Sequence, residues 1–178
     1  MNIRTFTAIG LAFYISFMLT SCASIPENAE AVSPFDAKKY LGKWYEIARL
    51  DFKYEENLNN TTAQYSLNSN NTLKVVNRGY NYKTEAWEEA QGKAKFVKSD
   101  TIGMLKVSFF GPFYSGYNII ALDKDYNYAL VAGRNLDYLW ILSRKPTLPE
   151  SIKQEFLAKA KTIGYNTDDL IWVAHDKS

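Results

Sequence analysis

The sequence predicts an all-β fold in which eight antiparallel strands run up and down and close into a barrel, with one C-terminal α-helix packed on its outside. Three observations predict it. From Tyr40 onward, short apolar and aromatic runs alternate with turn-forming clusters about every ten residues, the rhythm of consecutive hairpins. The 178 residues include 13 Tyr, 10 Phe and 4 Trp, interleaved with Val, Ile and Thr that suit a pleated, half-buried surface. No long crossover separates the runs, and a sheet of that size removes its exposed edges by closing on itself. A chain of this length fits one domain with a sizeable core.

Met1 to Ser21 open with the amine and Arg4 and continue in the apolar run FTAIGLAFYISFMLTS. The segment reads as an export signal, and its roughly 15 apolar residues fall short of the 20 or so that a spanning helix needs. Residues 22–34 contain the single cysteine, Cys22, and then ASIPENAEAVSP, a stretch without period that reads as a tether. Residues 35–178 form the domain. Strands are expected over 42–50, 61–67, 73–80, 87–97, 104–110, 117–122, 128–133 and 138–144. Between them NSNN (68–71), KSDTIG (98–103), GPFYSG (111–116) and DKDYN (123–127) supply residues that tolerate turns or bond their own backbone. The pattern then changes to TLPESIKQEFLAKAKTIGY. Thr147 and Glu150 have capping-box spacing, Ile152, Phe156, Ala160 and Ile163 repeat helically, and Gly164 sits at the C-terminal cap. LIWVAH (170–175) is a candidate last strand.

Several function classes are excluded. With 21 Lys plus Arg against 19 Asp plus Glu, bulk charge points to neither nucleic acid nor an acidic polymer. The one histidine, His175, reads as a surface residue, and neither a GxSxG elbow nor an HExxH helix is present, so no catalytic residue and no enzyme is assigned. Asp123, Asp125 and Asn127 mimic the start of a calcium loop, but Tyr128 replaces its glycine and Arg134 its bidentate Glu, so no metal or cofactor is expected. Glu55, Glu56, Glu88 and Glu89 read as solvated faces.

An eight-stranded barrel either fills with side chains or holds one small ligand. Alternating connections put 51–60, 81–86, 111–116 and 134–137 at one mouth, with Phe52, Tyr54, Tyr82, Phe113 and Tyr114 in its loops and Tyr80, Trp87, Tyr117 and Tyr138 at strand ends. Such a rim admits an acyl chain and keeps a polar head near water. Taking Trp44 and Arg144 as inward, alternation turns Glu46, Ala48, Tyr138, Trp140 and Leu142 toward the cavity. An inward Glu46 needs a partner, for which Arg78 is a candidate, or a proton. Burying a dozen methylenes gains roughly 10 kcal/mol from water but almost nothing from a bilayer, which favours fatty acids or lysophospholipids over two-chain lipids.

The stretch GKWYEIAR (42–49), with Gly42 and Trp44, and Arg144 closing YLWILSR resemble the first and third motifs of the lipocalin family. Lys124, Asp125 and Tyr126 occupy the region of the second, Thr-Asp-Tyr, without its Thr. With LKVSFFGPFYSGYNIIALD, the chain is similar to the bacterial outer-membrane lipoprotein branch of that family, akin to apolipoprotein D. Leu19, Thr20, Ser21 and Cys22 resemble a lipobox, which implies cleavage before Cys22, diacylglycerol on its sulfur and acylation of the new amine. With no second cysteine an intramolecular disulfide is excluded. Ala23 in place of Asp favours the outer membrane, facing the periplasm. The resemblance further implies a lipid carrier that stores or transports fatty acids or lysophospholipids for envelope maintenance. It allows a homodimer, and makes Gly42, Trp44, Asp125, Tyr126 and Arg144 structural, with Arg144 in cation–π contact across Trp44. A lipid-modifying enzyme and an envelope scaffold using the barrel for protein contacts are the alternatives, and haem or pigment carriage is a variant of binding.

Overall fold

The computed structural model describes residues 25–177; the expected export signal and the expected lipidation site Cys22 lie outside the described residues. The barrel strands are β1 (Gly42–Leu50), β2 (Leu58–Leu67), β3 (Leu73–Asn81), β4 (Ala86–Phe96), β5 (Met104–Ser108), β6 (Ser115–Leu122), β7 (Tyr128–Ala132) and β8 (Leu139–Ser143). Consecutive strands pair antiparallel, β8 pairs with β1, and β1 pairs back with β2, so the barrel closes. β2 starts at Leu58, before the expected boundary, and β5 stops at Ser108, because beyond the Lys93–Ser108 pair the chain leaves the ladder with β4.

The closing seam is short. β1 and β2 pair only from Gly42–Tyr65 to Tyr45–Thr62. Toward the other end β9 (Leu170–Trp172) takes over the β1 edge, from Ala48–Trp172 to Leu50–Leu170. The tail then reaches β2: the Asn60 N–H donates to the Ala174 carbonyl at 2.8 Å, and the Asn60 side chain accepts from the Lys177 N–H and donates to Asp176. The C-terminal segment thus staples the part of the seam that β1 and β2 leave unpaired.

Two apolar clusters sit on the two faces of the sheet. Inside, Tyr40, Trp44, Tyr65, Leu73, Val75, Leu105, Ile119, Val131 and Leu142 fill the end where β1 begins. Outside, Phe156, Ala160 and Ile163 of α2 (Glu150–Ile163) pack on Ile47, Ala48, Leu130 and Ile141. The expected capping box does not form. Pro149 is the N-cap and has no side chain to offer, while the Thr147 carbonyl accepts from Ser143 Oγ at 2.9 Å, which holds Thr147 outside the helix. Gly164 does close the helix, with φ 113° and its N–H shared by the Ala160 and Lys161 carbonyls.

Alternation along β1 is broken by a bulge between Glu46 and Ala48, which corrects one inward assignment. Glu46 lies opposite Leu142 and faces the lumen. The extra residue, Ile47, turns Ala48 outward beneath α2 and turns Arg49 inward, opposite Trp140. Residues 25–34, expected as free tether, are docked. Val32 pairs with Ile119 and Gly103, Phe35 N–H donates to the Thr101 carbonyl, and Ile25 and Ala29 pack on the outer cluster. A four-residue helix, α1 (Ala37–Tyr40), capped by the Asp36 carboxylate, then crosses under the barrel. Among the described residues no helix is long and apolar enough to cross a membrane.

Candidate functional site: a lumen open at one end

The floor is assembled from residues the sequence singles out and others it does not. Arg144 lies over Trp44 with its guanidinium carbon 3.9 Å from the ring centroid. Its three nitrogens donate to the carbonyls of Tyr126, Lys43 and Lys39 at 3.1, 2.9 and 2.8 Å, tying three segments together. Gly42 sits there with φ 96°, and a Cβ would stand 3.4 Å from Arg144 Nη1. Tyr126 accepts the Asp36 N–H, while the turn around Asp125 is held by Asp123, whose carboxylate accepts from the N–H groups of Asp125, Asn127 and Tyr128. Above Trp44, the hydroxyls of Tyr40, Tyr117 and Tyr65 form a chain with spacings of 2.7 and 2.8 Å. Burial pushes all three well above the ordinary tyrosine pKa.

Halfway up stands a buried charged network. Arg49 Nη1 donates to Glu46 at 2.9 Å, Nη2 donates to the Glu55 and Leu58 carbonyls, and Nε lies 3.5 Å from Asp51 and 3.9 Å from the Glu55 carboxylate. Trp140 Nε1 donates to Glu55 at 3.0 Å. Burial, then mutual repulsion, raises Glu46 well above the carboxylate range, with Arg49 opposing; burial also raises Glu55, against the Trp140 bond and Arg49. The partner of Glu46 is therefore Arg49, three residues along its own strand and brought inward by the bulge. Arg78 instead faces outward and stacks on Trp87 at 3.9 Å. Glu55, expected on a solvated face, is buried.

At the mouth, Phe52 packs edge-on against Tyr138 and Trp140, which stack on each other. Tyr54 and Phe110, each 65% exposed, meet across the rim at 5.6 Å, and Phe113 is 81% exposed beside them. Register places Tyr117 and Trp140 on the lumen side, and Tyr138 stacks on Trp140. Three expected rim residues, Tyr80, Trp87 and Tyr114, do not line the lumen. Trp87 lies opposite Tyr80 on the outer face because the inward row of β4 runs through Ala86, Glu88, Ala90, Gly92 and Ala94. Tyr114 folds down the outer wall over Lys95 and Lys106. His175 is also half-buried rather than superficial: its Nε2 lies 2.8 Å from the Glu46 carbonyl and its ring meets Tyr45 edge-on, and burial lowers its pKa.

The lumen is reached by solvent. Inward positions Ala63, Asn77, Ala90, Val107 and Tyr117 all keep accessible surface, and residues 86–92 of β4 pair with β3 but not with β5, which notches the wall at the mouth. Glu46, Phe52, Tyr138 and Trp140 thus share one side of an open cup whose floor is sealed by Trp44 and Arg144. The sequence missed Arg49 and Glu55; the cue was the Glu46–Arg49 spacing, which acquires meaning only once Ile47 bulges.

The fold agrees with what the chain is similar to. Residues 35–175 match the family model described as a lipocalin-like domain. The chain is 50% identical over 160 residues to the outer membrane lipoprotein Blc of Escherichia coli strain K12, covering 89% of this chain and 90% of that protein. It is 36% identical over 142 residues to apolipoprotein D of Rattus norvegicus, covering 75% and 71% respectively. Insecticyanin from the tobacco hornworm Manduca sexta shares the fold alone, with a TM-score of 0.67 at 19% identity over 85% of this chain and 86% of that one.

Proposed function

Because the chain belongs to the lipocalin family, we propose that its lumen holds one single-chain lipid, a fatty acid or a lysophospholipid, with the acyl tail inside and the head at the mouth. A lipidated Cys22 tethers the barrel to the periplasmic side of the outer membrane, where it stores or transfers such lipids by binding and release. The observation that carries this reading is the row of small or apolar inward positions, Ala63, Ala90 and Val107, that remain accessible above a sealed floor. Such a lining exchanges water for methylenes at about 0.8 kcal/mol each. Arg49, the charge at depth, is already engaged by Glu46 and by the Glu55 and Leu58 carbonyls, so a lipid carboxylate or phosphate gains no partner there and stays at the aromatic rim.

The test is a titration of the full chain with palmitate and with a lysophospholipid, joined to native mass spectrometry of protein purified from membranes. Ala90→Trp fills the lumen at an accessible position without touching the floor. It is expected to weaken both lipids at least ~10-fold at unchanged thermal stability. A co-purified acyl species is expected on the parent protein. An empty lumen with a bound protein partner would favour a scaffold, and turnover of a lipid ester would favour an enzyme; either outcome would end the carrier reading.

A further inference from the structure

On the wall opposite α2, four lysines project outward from three adjacent strands. Lys74 of β3 lies directly opposite Lys93 of β4, and Lys95 of β4 directly opposite Lys106 of β5. Their outward direction follows from register, since their neighbours Leu73, Val75, Ala94 and Leu105 belong to the inner cluster. Like charges at directly opposed positions repel, and among the described residues no carboxylate lies within 4 Å of any of the four. The outward acid nearest along β4, Glu89, lies opposite Arg78 instead. Tyr114 lays its ring 5.1 and 5.5 Å from the Lys95 and Lys106 ammoniums and holds both on one side.

This wall also carries a groove of about 580 Å³, lined by Lys74, Lys93, Gln91, Ser108, Tyr114 and the 68–70 turn, without an acidic residue. Ser108 is only 8% exposed, and its Oγ has no hydrogen-bond partner. A buried hydroxyl pays for that isolation unless something supplies an acceptor. Ammoniums without counter-charges, an unpartnered hydroxyl and the protruding rings of Phe110 and Phe113 on the adjoining loop describe one kind of occupant. We propose that the β3–β5 wall docks on an anionic bilayer surface, its lysines and Ser108 taking lipid phosphates while Phe110 and Phe113 enter the interfacial layer. Docked this way, the barrel lies with its notched mouth against the membrane. The wall is separate from the lumen and needs no lipid inside it.

The full chain, reconstituted on phosphatidylglycerol-containing or pure phosphatidylcholine vesicles, is labelled with an amine-acetylating reagent and read lysine by lysine by mass spectrometry. Acetylation of Lys74, Lys93, Lys95 and Lys106 is expected to slow roughly 5-fold or more on the anionic vesicles only, and to recover at about 0.5 M NaCl. Lys159 on α2 and Lys145 at the closed end are expected to label alike on both. Lys93→Gln with Lys106→Gln is expected to abolish the protection of Lys74 and Lys95, to raise the melting temperature by relieving repulsion, and to leave palmitate affinity unchanged. Equal labelling on the two vesicle types would overturn the proposal. So would equal protection by inorganic phosphate without vesicles, which would make the groove a site for a soluble anion.

Discussion

Arg49 concentrates the chemistry of the lumen in one side chain, because it alone faces Glu46, Asp51 and Glu55. Removing two carboxylates, Glu46 and Glu55, from bulk water beside one guanidinium favours protonated acids, and their pKa values rise accordingly. A carboxyl whose folded pKa is raised binds its proton more tightly in the native state. Its contribution to stability is therefore present at low pH and lost as pH rises through the folded value. Glu55→Gln keeps an acceptor for Trp140 but cannot ionise. The stability advantage of that variant over the parent, followed by urea denaturation, is expected to grow from pH 5 to pH 8; an advantage that shrinks over this range would refute the buried-acid account. His175 acts in the opposite sense: its lowered pKa makes the native state lose stability as pH falls through the ordinary histidine range.

At the scale of elements, bulges and edges decide which face each side chain serves. Ile47 in β1 and Ile120 in β6 each shift register by one residue, and both land in the cluster under α2. The barrel wall there bends to meet the helix, and the helix in turn covers Leu130 and Ile141, and Ala48, which the bulge has turned out of the lumen. Phe156 is the large fully buried side chain of that contact. Phe156→Ala is expected to cost about 3 to 4 kcal/mol in equilibrium denaturation, with palmitate affinity unchanged because the lumen lies on the other side of the sheet. The helix itself was legible from its 3.6-residue period and from Gly164. Its N-terminus was not, because Ser143 competes for the Thr147 carbonyl, and that contact spans the loop between β8 and α2.

For the molecule as a whole, the two ends of the barrel have different work. The Trp44–Arg144 floor ties α1, β1 and the 123–127 turn together, so Arg144→Ala, which removes three bonds to carbonyls and a cation–π contact, is expected to lower stability by about 2 to 3 kcal/mol. Lipid affinity measured at saturating folded protein is expected to stay within about 2-fold, since the mouth and the upper lumen remain intact. By itself the sequence determined the strand count, the turn positions, the exterior helix and the Trp44–Arg144 end, because hydrophobic period and turn chemistry are local properties of the chain. Only the tertiary structure decided that Ala48 faces out, that Arg49 pairs with Glu46, that residues 25–34 are docked, and that four lysines from three strands share one wall. Each of these depends on register: one inserted residue exchanges the faces of a strand, and a near-neutral total charge says nothing about which lysines end up side by side.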